Sequence, residues 1–354
     1  MRFAPALFLI VLTTSSRAQT PPRDTLSIPD TAWLEIHFVD VGQGDAIWIR
    51  TWNDGVADNG RFDGRNITID GGPNGSDGSN SFLKYIRERA QPDARFDAVI
   101  VSHPHDDHYP GALGVLRHYE VCNYYDGDTP NGSRFNQFLD TVRSEQCDGH
   151  PIRLHRGRTN FGTPDWGSEL QVALLWGAPI DPTGMGSGGT LINNGSLVIK
   201  LTYGTQSFLF MGDAEGKERD DPATTPRYAE ARLLSDSVTE SRLKSTVLKI
   251  AHHGSETSST LPFIRAVDPE VLVVSSGRES YSGTFLPDRS TLQRYCTHNP
   301  QVRIYRTDQD DAAEGRTAAT DNDGDHVVIR TNGKRTEIVA RSAGQPWTAT
   351  ACTP

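Results

Sequence analysis

Cysteine is scarce in this 354-residue chain: there are four, at 122, 147, 296 and 352, and none stands in a Cys-x-x-Cys pair, which argues against a thiolate metal site. Long apolar runs are absent too. The stretch Phe3 to Leu12 is too short to anchor stably across a bilayer, and nothing after it reads as a transmembrane channel. Positive charge is in deficit, with 35 Lys and Arg against 45 Asp and Glu and a formal net charge of -10. That balance argues against a broadly basic nucleic-acid-binding surface. It leaves a phosphate-bearing substrate open, because bound divalent cations reverse the sign of the field locally. No internal repeat or long low-complexity segment divides the chain, so one large domain is expected.

The N-terminus has the pattern of a targeting segment. Arg2 precedes the apolar stretch, and Ser16-Arg17-Ala18 places small residues where a signal peptidase needs them. The expected organisation is a signal peptide over 1–18, a Pro-containing linker over 19–32, one domain over 33–340 and a C-terminal tail over 341–354. A secreted or periplasmic protein follows, and an even cysteine count in an oxidising compartment suggests disulfides. Sequence proximity favours Cys122 with Cys147 and Cys296 with Cys352 among the three possible pairings.

Strand-like runs dominate the middle of the chain. Leu34 to Val39 and Ala46 to Arg50 flank the Gly-punctuated turn Asp40-Val41-Gly42-Gln43-Gly44-Asp45, and Asn66 to Asp70 runs into Gly71-Gly72, which predicts an antiparallel meander. Helical spacing appears at Phe82, Leu83, Tyr85 and Ile86, and again over Leu113 to Tyr119. Further strands are expected near 169–175, 196–202, 207–211 and 246–250, followed by alternating helix and strand from Leu261 onward. Two sheets packed face to face with helices outside would bury all these apolar faces.

The most informative segment is His103-Pro104-His105-Asp106-Asp107-His108, which follows the apolar run Ala98-Val99-Ile100-Val101. Residues at i and i+2 of an extended chain point the same way, and Pro110-Gly111 supplies the turn that Asp107 and His108 need. A histidine-rich tract can be a solvated loop; delivery by a buried-type strand favours a metal site instead. Two other apolar strands end in similar chemistry, at Gly212-Asp213-Ala214-Glu215 and at His252-His253-Gly254-Ser255. Imidazole and carboxylate donors suit divalent zinc, with Asp213 as the carboxylate able to bridge two ions. Water held between such ions ionises near neutral pH, and Asp107 could orient it as well as bind metal.

In this order, Asp40 to Asp45, Ile69-Asp70-Gly71-Gly72, His103 to His108, Asn193-Asn194-Gly195-Ser196-Leu197-Val198, Gly212-Asp213 and His252 to Ser255 resemble the metallo-β-lactamase superfamily. Within it, the chain is most similar to the soluble domain of ComEC-type DNA-internalisation competence proteins, from about Trp33 to about Arg330. The resemblance implies an α/β (α+β) fold: an αββα sandwich of two mixed β-sheets with helices on the outer faces. It implies two divalent ions, Zn2+ or alternatively Mn2+. His103 and His105 would serve the first, Asp107 and His108 the second, and Asp213 both. His252 or His253 would complete the second site, the other facing substrate; Asp107 and His253 are the candidate catalytic groups. Asn193-Asn194 stands where most members supply a third histidine, since His118, His150 and His155 lie at no strand end of the right kind. Near Ser280 to Gly283 a His-Pro pair is usual, whereas this chain has Thr284-Phe285-Leu286-Pro287.

Asp40 and Asp45 bracket a Gly-rich turn: capping that turn and supporting a histidine ring from behind is weighed for Asp40 at least equally with direct catalysis, Asp70 invites the same reading, and all three are candidates for contact with substrate or for backing the metal ligands. Glu215 is placed either near a ligand or in an ion pair with Lys217 or Lys249. Ser255 and Thr257 are candidates for phosphate contact or loop capping. Asp321-Asn322-Asp323-Gly324-Asp325 is compatible with calcium, and more often marks a hairpin turn. The function these readings support is an exported dinuclear-metal hydrolase of a phosphodiester or nucleic-acid-like substrate, attacked by a metal-bridging hydroxide. The alternatives are a hydrolase of a choline phosphoester, lactone or β-lactam, and an exported binding protein with a degenerate metal site.

Overall fold

The run Ala98–Val101 forms a strand with all four side chains buried, because both faces of its sheet are covered. The computed structural model describes residues 28–338 except 57–61, 74–80, 158–160, 163, 165, 178–180 and 282. The expected signal peptide, the linker up to residue 27 and the C-terminal tail lie outside the described residues. Eight strands make the first sheet, in the order Arg153–Arg156, Asn123–Asp126, Ala98–Val101, Asn66–Asp70, Ala46–Arg50, Leu34–Phe38, Val327–Thr331 and Thr336–Ile338. The expected meander is its centre: Leu34–Phe38, Ala46–Arg50 and Asn66–Asp70 pair antiparallel, and Ala98–Val101 joins parallel. Six strands make the second sheet, in the order Leu170–Trp176, Val198–Tyr203, Gln206–Phe210, Val247–Lys249, Val271–Val274 and Arg303–Arg306.

Alternation along each strand divides the core into layers. Ile36, Phe38, Ile67, Ile69 and Ile100 face Ile199, Leu201, Phe208, Phe210 and Val273 between the sheets, with Phe38 and Phe210 stacked at 6.2 Å. Trp48, Val99 and Val101 face outward against Phe82, Ile86, Val115, Leu116, Phe135 and Phe138, which come from three helices, Ser81–Arg87, Ala112–His118 and Ser133–Ser144. Leu209, Leu248, Leu272 and Val274 do the same against helices Tyr228–Leu234, Leu261–Val267 and Arg289–His298. The four layers are the αββα sandwich.

Cys122 and Cys147 are joined in a disulfide, with Cα atoms 4.9 Å apart. The second expected pairing involves Cys352, which lies outside the described residues. No described helix is long and apolar enough to cross a membrane. The hairpin reading of Asp321–Asp325 is corrected: the strands before and after it, Arg303–Arg306 and Val327–Thr331, belong to different sheets. Its Asp-Gly pair therefore turns the chain from one sheet to the other.

Candidate metal centre

The C-terminal ends of four strands open onto one place. Asn66–Asp70 and Ala98–Val101 run parallel in one sheet, Gln206–Phe210 and Val247–Lys249 run parallel in the other, and their following residues carry Asp70, His103 to His108, Asp213 and His252-His253. The loops interlock through backbone. Gly71 N–H donates to the His108 carbonyl at 2.6 Å, and Gly111 N–H donates to the Gly72 carbonyl at 2.9 Å. A Cβ on Gly111 would fall 1.8 Å from the Gly71 oxygen, so this crossing requires glycine. The Asp40–Asp45 turn locks on similarly, Asp45 N–H donating to the Asp107 carbonyl at 3.2 Å. Asp70, His252 and His253 all hold positive φ (59°, 48° and 51°), backbone strain concentrated at the residues that present the side chains.

Asp213 is the hub. Its Oδ2 lies 3.3 Å from His108 Nε2, 3.5 Å from His253 Nε2, 3.6 Å from His103 Nε2 and 4.0 Å from His252 Nε2. Asp107 Oδ2 lies 3.3 Å from His253 Nε2, and His103 Nε2 lies 3.0 Å from His105 Nδ1. Two sets of donor atoms therefore gather within 4.8 Å, His103 with His108 and Asp213, and Asp107 with His108 and His253.

The far side of each ring is held by a partner that fixes which nitrogen faces the centre. His108 Nδ1 bonds to Asp70 Oδ2 at 2.9 Å, and His253 Nδ1 donates to the Ser275 carbonyl at 2.8 Å. Ser102 donates its hydroxyl to Asp70 at 2.7 Å and lies 3.0 Å from His103 Nδ1, so one carboxylate orients two rings. Asp45 Oδ1 stands 3.4 Å from His253 Nδ1, while its Oδ2 is ion-paired to the buried Lys249 ammonium. Against burial, which raises it, Lys249 and His253 hold the Asp45 carboxyl below its ordinary value. Burial likewise opposes, and the neighbouring carboxylates Asp213 and Asp107 overcome, the rise of His108 and His253 above the usual histidine range.

The other side of the centre is looser. His252 Nδ1 bonds to the Thr257 hydroxyl at 2.9 Å and lies 3.4 Å from Glu215 Oε1. Glu215 accepts from the Asn193 amide at 2.8 Å, and burial pushes its carboxyl up to about 8, Asn193 opposing and Asp213 adding to the rise. The expected ion pair of Glu215 with Lys217 or Lys249 is corrected, since Lys217 pairs with Glu256 and Lys249 with Asp45. Asn194 is wholly internal: its amide donates to Met185 and Thr190 carbonyls and its oxygen accepts from the Glu215 N–H. Ser255 caps locally, its hydroxyl 3.1 Å from that of Thr257, and both line the cavity.

Asp40 takes the capping role, accepting from the N–H groups of Gly42 and Gly324 at 3.0 and 2.8 Å, and ring support falls to Asp45 and Asp70. His155 stacks on Tyr125 at 4.3 Å, away from the centre. Sequence reasoning missed Lys249 as the partner of Asp45, the relay through Ser102, and Arg219 and Tyr281 on the wall of a cavity of about 470 Å³ above the centre. A lysine at the end of a buried strand, three residues before His252, was the available signal for the first.

The donor set fits divalent metal. His108 Nε2, His253 Nε2 and Asp213 Oδ1 are buried with no hydrogen-bond partner among the described residues, although the other nitrogen of each ring is engaged. Such atoms are costly to bury unless something charged meets them.

The family model of the metallo-β-lactamase superfamily matches residues 60–130 of the chain. The chain is 24% identical to the ComE operon protein 3 of Bacillus subtilis (strain 168), over 80% of this chain and 33% of that protein. It is also 26% identical to the uncharacterized protein YcaI of Escherichia coli (strain K12), over 74% of this chain and 27% of that protein. The chain thus spans a third or less of these curated relatives. Among solved structures, the metallo-beta-lactamase fold protein YhfI from Bacillus subtilis aligns with a TM-score of 0.39 and 12% identity, over 75% of this chain and 93% of that one.

Proposed function

We propose that this protein is an exported, two-metal-dependent hydrolase of phosphodiester or nucleic-acid-like substrates. The observation that carries the reading is the convergence of unpartnered buried atoms from His108, His253 and Asp213 at the floor of a cavity that Arg219 also lines. His103 and His105 would hold one ion and Asp107, His108 and His253 the other, with Asp213 shared. Asn193 Oδ1, buried and without a hydrogen-bond partner among the described residues, offers the first ion an oxygen, which favours zinc less strongly than a third imidazole and makes manganese a reasonable occupant. Divalent ions bound there would lower the pKa of water to about 7 and offset charge developing on phosphoryl oxygens.

The chain's own groups complete the chemistry. Asp107, whose carboxyl is held below its ordinary value by His108 and His253 against the opposing effect of burial, accepts a hydrogen bond from the attacking water. His252, with Nδ1 engaged by Thr257, is pushed down to about 4 by burial and presents a neutral Nε2 toward the cavity. Arg219, which also pairs with Asp288, brings a guanidinium to the cavity wall where an anionic substrate would meet it. The phosphodiester class is supported by this arginine and by the motif resemblance to competence proteins; export is supported by the N-terminal pattern alone. The test is turnover of bis-p-nitrophenyl phosphate, single-stranded DNA, a phosphocholine ester and a β-lactam with zinc and with manganese. Phosphodiester cleavage lost in Asp107→Ala is the expected result. Cleavage of the β-lactam alone would overturn the substrate class, and fewer than two bound ions in the active protein would overturn the two-metal reading.

A further inference from the structure

We propose that Tyr281 is a specificity-determining residue of the cavity above the His–Asp centre, stacking on the planar base of a nucleotide-like phosphoester whose phosphate meets that centre. The inference rests on the phosphodiester reading for the place of the phosphate and names the group beside it. Two short strands, Ser280–Tyr281 and Thr284–Phe285, pair antiparallel, with Tyr281 opposite Thr284 and Ser280 opposite Phe285. Directly opposed residues share a face of a hairpin, and successive residues alternate between faces. Tyr281 and Thr284 therefore stand on one face, and both line the cavity, as does Leu286 two residues beyond Thr284. Phe285 takes the other face, where the Arg278 guanidinium covers its ring at 4.1 Å.

Tyr281 is left open at the cavity rim, 46% exposed. Imidazoles aside, it carries the one aromatic ring lining this cavity among the described residues. The lining divides by chemistry: His105, Asp107, Asp213, His252 and His253 form a polar floor, and Tyr281 with Leu286 gives an apolar wall. A volume of about 470 Å³ is in the range that encloses a small ligand. A nucleobase stacks on a single ring face and keeps its polar edges in water, whatever its identity. A quaternary ammonium such as choline is recognised by a cage of several aromatic faces, and one ring does not make a cage. A floor for phosphate beside a wall for a flat ring fits a nucleotide better than an alkyl phosphoester.

The hairpin is fixed where it leaves the fold and where it rejoins it. Gly277 N–H donates to Gln43 Oε1 at 3.2 Å, and Arg278 N–H donates to the Asp321 carboxylate. At the other foot, Asp288 N–H donates to the Gly254 carbonyl at 3.0 Å. Gly254 directly follows His253, and a Cβ on it would fall 2.6 Å from Pro287, so the hairpin packs on the loop that presents the histidines. An aromatic ring carried on a frame pinned at both ends has little freedom to lose when a ligand stacks on it.

The experiment is equilibrium dialysis of thymidine monophosphate, deoxyribose phosphate and phosphocholine against the zinc-loaded full chain, as wild type, Tyr281→Phe and Tyr281→Leu. None of these ligands is a phosphodiester, so binding is read whether or not the protein cleaves one. Wild type is expected to hold the nucleotide at least about fivefold more tightly than the sugar phosphate, the effect of one stacked base. Tyr281→Phe should keep that ratio. Tyr281→Leu, which keeps apolar bulk and removes the ring, should bring it within about twofold while leaving sugar phosphate binding unchanged. A wild-type ratio near one, a ratio undiminished in Tyr281→Leu, or tighter binding of phosphocholine than of the nucleotide would each overturn the proposal. A ratio that depends on Tyr281 in a protein without phosphodiester turnover would support the base site and overturn the hydrolase reading alone.

Discussion

The two sides of the His–Asp centre are built from the same residue types and held by different means. On one side, His108 and His253 are fully buried, each with its outer nitrogen engaged by a carboxylate or a backbone carbonyl, and behind them Asp45 is fixed by Lys249. On the other, His105 and His252 are only partly buried, and the groups around them are an amide, a hydroxyl and a carboxyl raised to about 8. The difference follows from where the partners come from. Asp70, Lys249 and Ser275 sit at strand ends between two covered sheet faces; Thr257 and Asn193 sit on a loop and at the end of a five-residue helix. A ring locked by fixed charge is preorganised for a metal. A ring held by a hydroxyl beside an open cavity can adjust to substrate.

Asp213 joins the two sides, so Asp213→Ala should have the largest effect. Metal content is expected to fall below one ion per chain, and phosphodiester turnover to drop by roughly a thousandfold, the upper range for loss of a preorganised electrostatic group. Retention of two ions would mean that the sides are independent. Next comes Lys249→Met, which strands a buried Asp45 and should cost about 3–5 kcal/mol of stability in urea denaturation. The double variant Asp45→Asn with Lys249→Met removes both charges and should recover most of that stability, yet still bind metal roughly 10- to 100-fold more weakly. An unchanged metal affinity in the double variant would reduce the pair to a packing device.

The buried side was the more legible from sequence, because its ligands sit in consecutive motifs at the ends of apolar strands. Asp107-His108 and His252-His253 could be read directly, while the choice between His252 and His253 could not: both hold positive φ, and only their three-dimensional partners, Ser275 and Thr257, tell them apart. The Lys249–Asp45 pair escaped notice because the two residues stand 204 positions apart and Glu215 offered a nearer acidic partner in the sequence. Much of the fold was visible as alternation. The helix Ser133–Ser144 was overlooked although Phe135, Phe138, Leu139 and Val142 repeat at helical spacing. The strand Asn123–Asp126 was hidden by two tyrosines and polar ends that give no alternation, since both its faces are covered.

The looser side is where a substitution can add function. Asn193→His should give the first ion a third imidazole and raise its affinity by roughly tenfold, shifting preference toward zinc. In chelator competition, wild type is expected to release its ions in two steps, the weaker from this side, and the variant to bring the steps together. Steps that stay apart would mean that Asn193 does not face the ion. The smallest effect is expected at Arg219, which is partly exposed and already paired with Asp288. Exposed ion pairs are worth about 1 kcal/mol or less, so Arg219→Ala should raise KM for a phosphodiester up to about fivefold with kcat nearly unchanged. A fall in kcat at constant KM would instead place the guanidinium on charge that develops during the reaction. Arg219 would then belong with the preorganised side, and the contrast between the two sides would be one of exposure rather than of chemical role.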